Sequence, residues 1–192
     1  MSSQDLVDYY VDKLKSTQGD LRSLLHQAIE DPQLLLYREI SDTVDNDRVD
    51  DSTQQVLELL TFEEYSVADS QIRRNVVVSL KLRILTVFSV ISEMGISVSL
   101  DVLMHRLEFR NKVELFSLLL QMVQRKLVEI AIDERADTVV FTGVYFFREV
   151  PKNVSVDDVR NELGRMIERM KAVNFSLPED IVESHKILAA IG

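Results

Sequence analysis

SLDVLMHRLEFRNKVELFSLLLQMVQRKLVEIAIDERADTVVFTGVYFF, residues 99–147, changes its hydrophobic period partway, and that change decides the fold. Ser99 suits an N-cap, and Leu100, Leu103, Met104 and Leu107 follow it at helical spacing. Asn111 with Glu114 makes a capping box ahead of a second helix, residues 112–126, which carries Val113, Phe116, Leu119, Leu120 and Val123. Two strand-like runs come next: residues 127–132, where Glu129 and Ala131 alternate with apolar side chains, and residues 139–147, rich in Val, Phe, Thr and Tyr. The charged turn of residues 133–137 joins them. Ile96 to Val98 reads as a short extended piece ahead of the first helix. Helix, helix and then a β-hairpin is the order of a winged helix, so a winged-helix subdomain is expected over residues 96–150.

Upstream, the chain reads as helices. Residues 71–94 are expected to form one long helix, with Ile72, Val76, Val77, Leu80, Ile84, Leu85, Val87, Phe88 and Ile91 spread over most of its circumference. Its many β-branched residues also suit a strand, but its length without Gly or Pro decides for a helix, and Gly95 stops it. A helix apolar nearly all round belongs at the centre of a domain. Earlier still, Leu6, Val7, Tyr10, Val11 and Leu14 lie on one helical face, which Gly19 ends, and Leu21, Leu24, Leu25, Ala28 and Ile29 lie on another. Asp31-Pro32 reads as the start of a third helix through Leu34, Leu35, Leu36 and Ile40. Residues 41–53 are acidic and read as a solvated loop, since they lack the glycine and closing glutamate of an EF-hand. Residues 54–62 form a further helix. The expected organisation is a run of helical hairpins over residues 1–95, the layout of a short solenoid.

Downstream of Pro151, Ser155 and Asp158 resemble another capping box, and Val156, Val159, Leu163, Met166, Met170 and Val173 alternate three and four apart. Such a seam either binds a partner helix or packs on the chain's own core. Those six residues are the candidate partner-binding set, in a C-terminal helical segment over residues 153–192.

Composition bounds the function. With 192 residues, 46% hydrophobic and 28% charged, the chain is built to fold. It has no cysteine, which removes disulfides, thiolate metal sites and cysteine nucleophiles. Its net charge of −10 opposes free nucleic-acid binding. No secretory leader is read in MSSQDLVDYY, and no run is apolar enough to span a membrane, so cytoplasmic and nuclear placement is expected. His26, His105 and His185 each stand apart, with none at metal-binding spacing, and neither a glycine-rich phosphate loop nor a nucleophile elbow occurs. Acidic pairs such as Glu63-Glu64 and Asp157-Asp158 fall at helix starts, where they offset the dipole. No catalytic residue, metal ligand or cofactor site is expected.

Helical hairpins leading into a winged helix and then a C-terminal helix resemble the PCI domain, shared by subunits of the proteasome lid, the COP-nine signalosome and translation initiation factor three. The signalosome branch matches in more detail: Ser23-Leu24-Leu25-His26-Gln27-Ala28 with Pro32, the leucine-rich run Val56 to Tyr65, Leu82-Arg83-Ile84-Leu85-Thr86-Val87, Leu103 and Leu107 ahead of Arg110-Asn111 with Val113 and Glu114, Ile132-Asp133-Glu134 at the hairpin tip, and Phe147-Arg148-Glu149-Val150 closing it. The resemblance spans residues 20–175. It departs from the branch in lacking a Tyr-Gly after the leucine-rich helix and in having no counterpart of its charged tail up to Gly192. The resemblance implies a mostly α fold and a non-catalytic scaffold role in a complex that removes the ubiquitin-like modifier Nedd-eight from cullins, and so regulates cullin-RING ubiquitin ligases. It further implies that the isopeptidase zinc site lies on a different subunit, that other PCI subunits bind through the winged helix, and that the C-terminal helix joins a shared helical bundle. A PCI subunit of initiation factor three, or a winged-helix nucleic-acid binder, are the alternative readings.

Overall fold

The computed structural model describes residues 3–16, 20–44, 49–133 and 135–146, together with Gly164. The chain divides into two compact units, Met1–Pro151 and Lys152–Gly192, and the elements below belong to the first. The candidate partner-binding residues Val156, Val159, Leu163, Met166, Met170 and Val173 lie outside the described residues, as do Gly19 and the expected C-terminal helices.

The described part is mostly helical with one small sheet. Its helices are α1 (Ser3–Ser16), α2 (Leu21–Glu30), α3 (Arg38–Thr43), α4 (Asp51–Phe62), α5 (Ser70–Arg74), α6 (Val76–Met94), α7 (Leu100–Arg106) and α8 (Lys112–Gln124). A single 3-10 turn, Tyr65–Val67, separates α4 from α5. The strands are β1 (Ser97–Ser99), β2 (Val128–Asp133) and β3 (Thr138–Val144). They form an antiparallel sheet in the order β1-β3-β2, with Val98 opposite Val139 and Ile132 also opposite Val139 from the other side. A register shift lies between Glu129 and Ile130, where Thr142 of β3 is the extra residue of a bulge.

Local capping sets most of these boundaries. Asp20 accepts the amide of Ser23 at 3.0 Å, and Asp50 accepts that of Thr53 at 3.2 Å. Ser99 accepts the amide of Asp101 at 3.2 Å, and Asn111 that of Glu114 at 3.0 Å. Glu114 reaches back to the side-chain amide of Asn111 at 3.0 Å and the backbone amide of Arg110 at 3.4 Å, a variant of the reciprocal box. Gly95 ends α6 with φ at 90°, in the region that glycine adopts without penalty. A run of β-branched residues stays helical in α6 because burial, not propensity, holds it: Val78, Leu82, Ile84, Leu85, Val87 and Val90 are all buried.

Two expectations are corrected. The long helix from residue 71 is broken at Asn75, whose extended ψ of 110° ends α5 and whose side-chain oxygen accepts the amides of Val77 and Val78 at 3.0 and 3.1 Å to start α6. A side chain that competes for backbone amides splits a run which apolar periodicity treats as continuous. Asp31-Pro32 does not launch a helix either. Asp31 closes α2, its backbone amide donating to the carbonyl of Gln27 at 2.9 Å, and the chain stays non-helical until Arg38. Leu34, Leu35 and Tyr37 are buried all the same, and a short apolar run cannot by its spacing distinguish a buried extended segment from a buried helix.

The apolar faces read from the sequence of α1 and α2 are the buried ones: Leu6, Val7, Tyr10, Val11 and Leu14, then Leu24, Leu25, Ala28 and Ile29. Side chains from both sides of Gly95 merge in one continuous cluster, with α6 at its centre and the sheet residues Val98, Val139 and Phe141 against it.

Within that core, the hydroxyl of Thr86 donates to the carbonyl of Leu82 at 2.8 Å and accepts the buried amide of Tyr65 at 2.9 Å. Thr86→Val keeps the shape and strands that amide, so it should cost about 1–3 kcal/mol in urea unfolding. Thr86→Ser should recover most of the loss. Equal stability of the valine and threonine proteins would show that the amide finds another acceptor.

Candidate interaction surface

The segment from β1 to β3 presents two outward features, one on the sheet and one on α8. Because β3 is central, β2 is an outer strand, with Glu129, Ala131 and Ile132 exposed. The hairpin tip is held by Asp133, whose carboxylate accepts the amides of Arg135 and Ala136 at 2.9 and 3.0 Å. Lys112 at the start of α8 pairs with Asp137 in the hairpin turn, and that carboxylate holds the lysine above its usual range. The carbonyl of the same Asp137 accepts the amide of Leu100 at 2.9 Å, so the tip is anchored to α7 as well.

Of the apolar residues read on α8 from the sequence, only Leu119 is on the buried face. Leu115, Leu118, Leu119 and Met122 are buried, whereas Val113 and Leu120 are exposed and Phe116 and Val123 are only partly covered. The helix is apolar on two sides, one buried in the core and the other only partly covered by it.

A second cluster ties α7 to the α4–α5 connection. Arg106 pairs with Glu64 and with Glu93, the latter at 3.0 Å, and Arg73 bonds Glu108 at 3.1 Å. Hydrogen bonds that its guanidinium donates to Glu64 and Glu93 hold Arg106 above its ordinary range. Arg83 donates to the Tyr65 hydroxyl at 2.9 Å and lies between the Tyr65 and Phe109 rings, 4.4 Å from each centroid. An open depression of about 440 Å³, lined by Ser66, Met104, His105, Arg106, Glu108 and Phe109, sits beside this cluster. His105 is exposed there, as its place on α7 predicts. Each of these arginines already has a carboxylate or a ring as partner, and among the described residues no group of three His, Cys, Asp or Glu side chains is placed to hold a metal ion.

Sequence reasoning missed the most unusual side chain. Lys81 reads as a polar interruption of α6, yet it is 1% exposed. Its ammonium donates to the carbonyl of Ile29 at 2.6 Å and to the Tyr37 hydroxyl, with the carbonyl of Ala28 at 3.5 Å. Burial pushes its pKa down to about 7, with Arg125 acting in the same direction against the pull of Asp31 and Glu30. The signal was present in the sequence: a lysine in a helix apolar all round has no solvent face to reach. Around it, Tyr10 donates to the Asp31 carboxylate at 3.1 Å, and burial followed by that carboxylate raises Tyr10 to about 12.

No helix among the described residues is long and apolar enough to cross a membrane. No protein-family model matches the chain, and no curated protein matches its sequence.

The buried lysine makes stability depend on pH. An unfolded lysine keeps its proton up to about 10.5, so between pH 7 and that value the unfolded chain binds a proton that the folded chain releases. Stability should therefore rise with pH across this window, by at most about 5 kcal/mol, and stay flat in this respect below pH 7, where both states are protonated. Lys81→Met should flatten the rise when urea midpoints are compared at pH 6.5, 8 and 9.5. A variant whose slope matches the parent's would mean that Lys81 titrates normally.

Proposed function

We propose that the chain is a non-catalytic scaffold subunit of PCI type, closest in kind to the seventh subunit of the COP-nine signalosome. The observation that carries this reading is topological. After the central helix α6 comes a short strand, two helices and a hairpin, with the last strand in the middle of a β1-β3-β2 sheet. We read that order as a winged helix, and the helices before it as the helical part of a PCI domain. The ordered sequence resemblance from Ser23 to Val150 supports the same reading.

On this reading, β2 is the strand offered to a neighbouring subunit, since among the described residues it is an outer strand of the sheet. The C-terminal seam, Val156 to Val173, enters a shared helical bundle. Deneddylation of cullins is the work of the assembly, with the isopeptidase on another subunit. The ion pairs found around α7 and α8 favour a protein-binding role over base reading, because Arg106 and Lys112 already meet carboxylates.

Affinity purification of the full chain from cells, followed by mass spectrometry, tests the assembly. Recovery with a JAMM-motif isopeptidase and cullins is expected, and recovery with small ribosomal subunits instead would assign the chain to initiation factor three. Replacing Leu163 and Met170 by Asp should abolish co-purification while the melting temperature stays within a few degrees. If assembly survives both changes, the seam is not the contact; if the chain unfolds, the seam belongs to its own core.

A further inference from the structure

The outer side of α8 carries a second apolar seam, in which Val113 and Leu120 are exposed and Phe116 and Val123 lie at the edge of the core cluster. Val113, Phe116, Leu120 and Val123 are spaced three, four and three apart, which aligns them along one ridge of the helix. Val113 is 75% exposed and Leu120 56%, with Phe116 and Val123 half-buried between them. The inward stripe of Leu115, Leu118, Leu119 and Met122 already supplies what the core needs from this helix. Apolar side chains set on a helix at coiled-coil spacing, two of them exposed and two only partly covered by the core, suit another helix.

The charge around the seam narrows the partner. The chain as a whole carries −10, yet five basic and two acidic residues lie between Arg106 and Lys126. Arg110 and Lys126 are exposed at opposite ends of α8, and Lys112 and Arg125 stand beside them. Thirteen residues make this helix about 20 Å long, so the cations bracket the seam at a span of roughly three turns. A second copy of the chain would set basic ends against basic ends in either orientation, since Arg110 and Lys126 lie at opposite ends of the helix. Nucleic acid would meet exposed Val113 and Leu120 where base edges or phosphates need polar contacts, and Lys112 is already paired with Asp137.

We propose that the outer face of α8 docks an amphipathic helix of a partner protein, whose apolar stripe covers Val113, Phe116, Leu120 and Val123 and whose acidic residues at either end meet Arg110 and Lys126. This face is separate from the β2 edge, so its occupant need not be a winged-helix neighbour, and it stands whichever assembly the chain joins. The seam supplies the affinity and the flanking charges select against basic helices.

A fluorescently labelled 18-residue alanine-based peptide, with leucines at alternating three- and four-residue spacing and glutamates at both ends, is the probe. It is titrated by anisotropy against the full chain in about 0.1 M salt, where the Debye length is about 10 Å. Saturable binding is expected. It should weaken at least tenfold for the double variant Val113→Asp with Leu120→Asp, for a probe with alanine in place of leucine, and for a probe with lysine in place of glutamate. Both substituted positions are exposed, so melting temperature should hold; the milder pair Val113→Ser with Leu120→Ser gives the same comparison if it does not. No binding to the full chain, or equal binding by parent and substituted chains, overturns the proposal. So does tighter binding of an 18-base-pair DNA duplex than of the probe, or a dimer in sedimentation that the double variant dissolves.

Discussion

The ammonium of Lys81 donates to the carbonyl of Ile29 inside the core, and the rest of the fold is organised around that point. The last carbonyls of a helix have no partner within it, and buried ones must find donors elsewhere. At the end of α2 those donors come from distant parts of the chain. Lys81 reaches in from α6, and the Tyr37 hydroxyl bonds the carbonyls of Ala28 and Leu34 at 3.1 Å. Asn75, which starts α6, donates to Glu30 at 2.6 Å, Tyr10 of α1 bonds Asp31, and Arg125 at the end of α8 donates to the carbonyl of Pro32 at 3.1 Å. Four helices and one extended segment therefore meet over five residues, 28–32. A cation at a helix C-terminus also has the favourable sign for the dipole, which offsets part of the cost of burying it.

This arrangement explains why α6 can be so apolar and still be precisely seated. Hydrophobic burial is non-directional and would tolerate rotation or sliding of a helix that is greasy all round. Lys81 and Thr86 remove that freedom, since each has a single set of partners: the end of α2 for the lysine, the amide of Tyr65 for the threonine. The polar groups inside α6 act as register pins. With α6 seated, the α4–α5 connection is placed against α7 by Arg106, Glu64, Arg73 and Glu108, and the outward faces of β2 and α8 are held on a fixed frame.

Charge is distributed unevenly over that frame. Carboxylates dominate the chain, but around α7 and α8 they are outnumbered, and several of those nearby serve to neutralise arginines and Lys112. What is left on α8 is an apolar ridge bracketed by cations. Such a surface discriminates among helical partners by charge, whereas its apolar content sets how strongly any of them binds.

The order of elements was legible in the residues because its signals are local. Ser99 and Asn111 announce the starts of α7 and α8, Gly95 the end of α6, and the switch from helical spacing to alternation after Leu127 announces the hairpin. The inward faces of α1 and α2 were legible too, because each has one apolar side only. Three things were decided by tertiary structure alone. Asn75 broke a continuous apolar run because its side chain captured two amides and Glu30 lay within reach. Lys81 went inside because the end of α2 supplied acceptors from about fifty residues away in sequence. The buried side of α8 was chosen between two comparable stripes by the docking of the sheet and α6. Spacing along a chain tells which side chains share a face; which face meets a neighbour depends on where that neighbour packs.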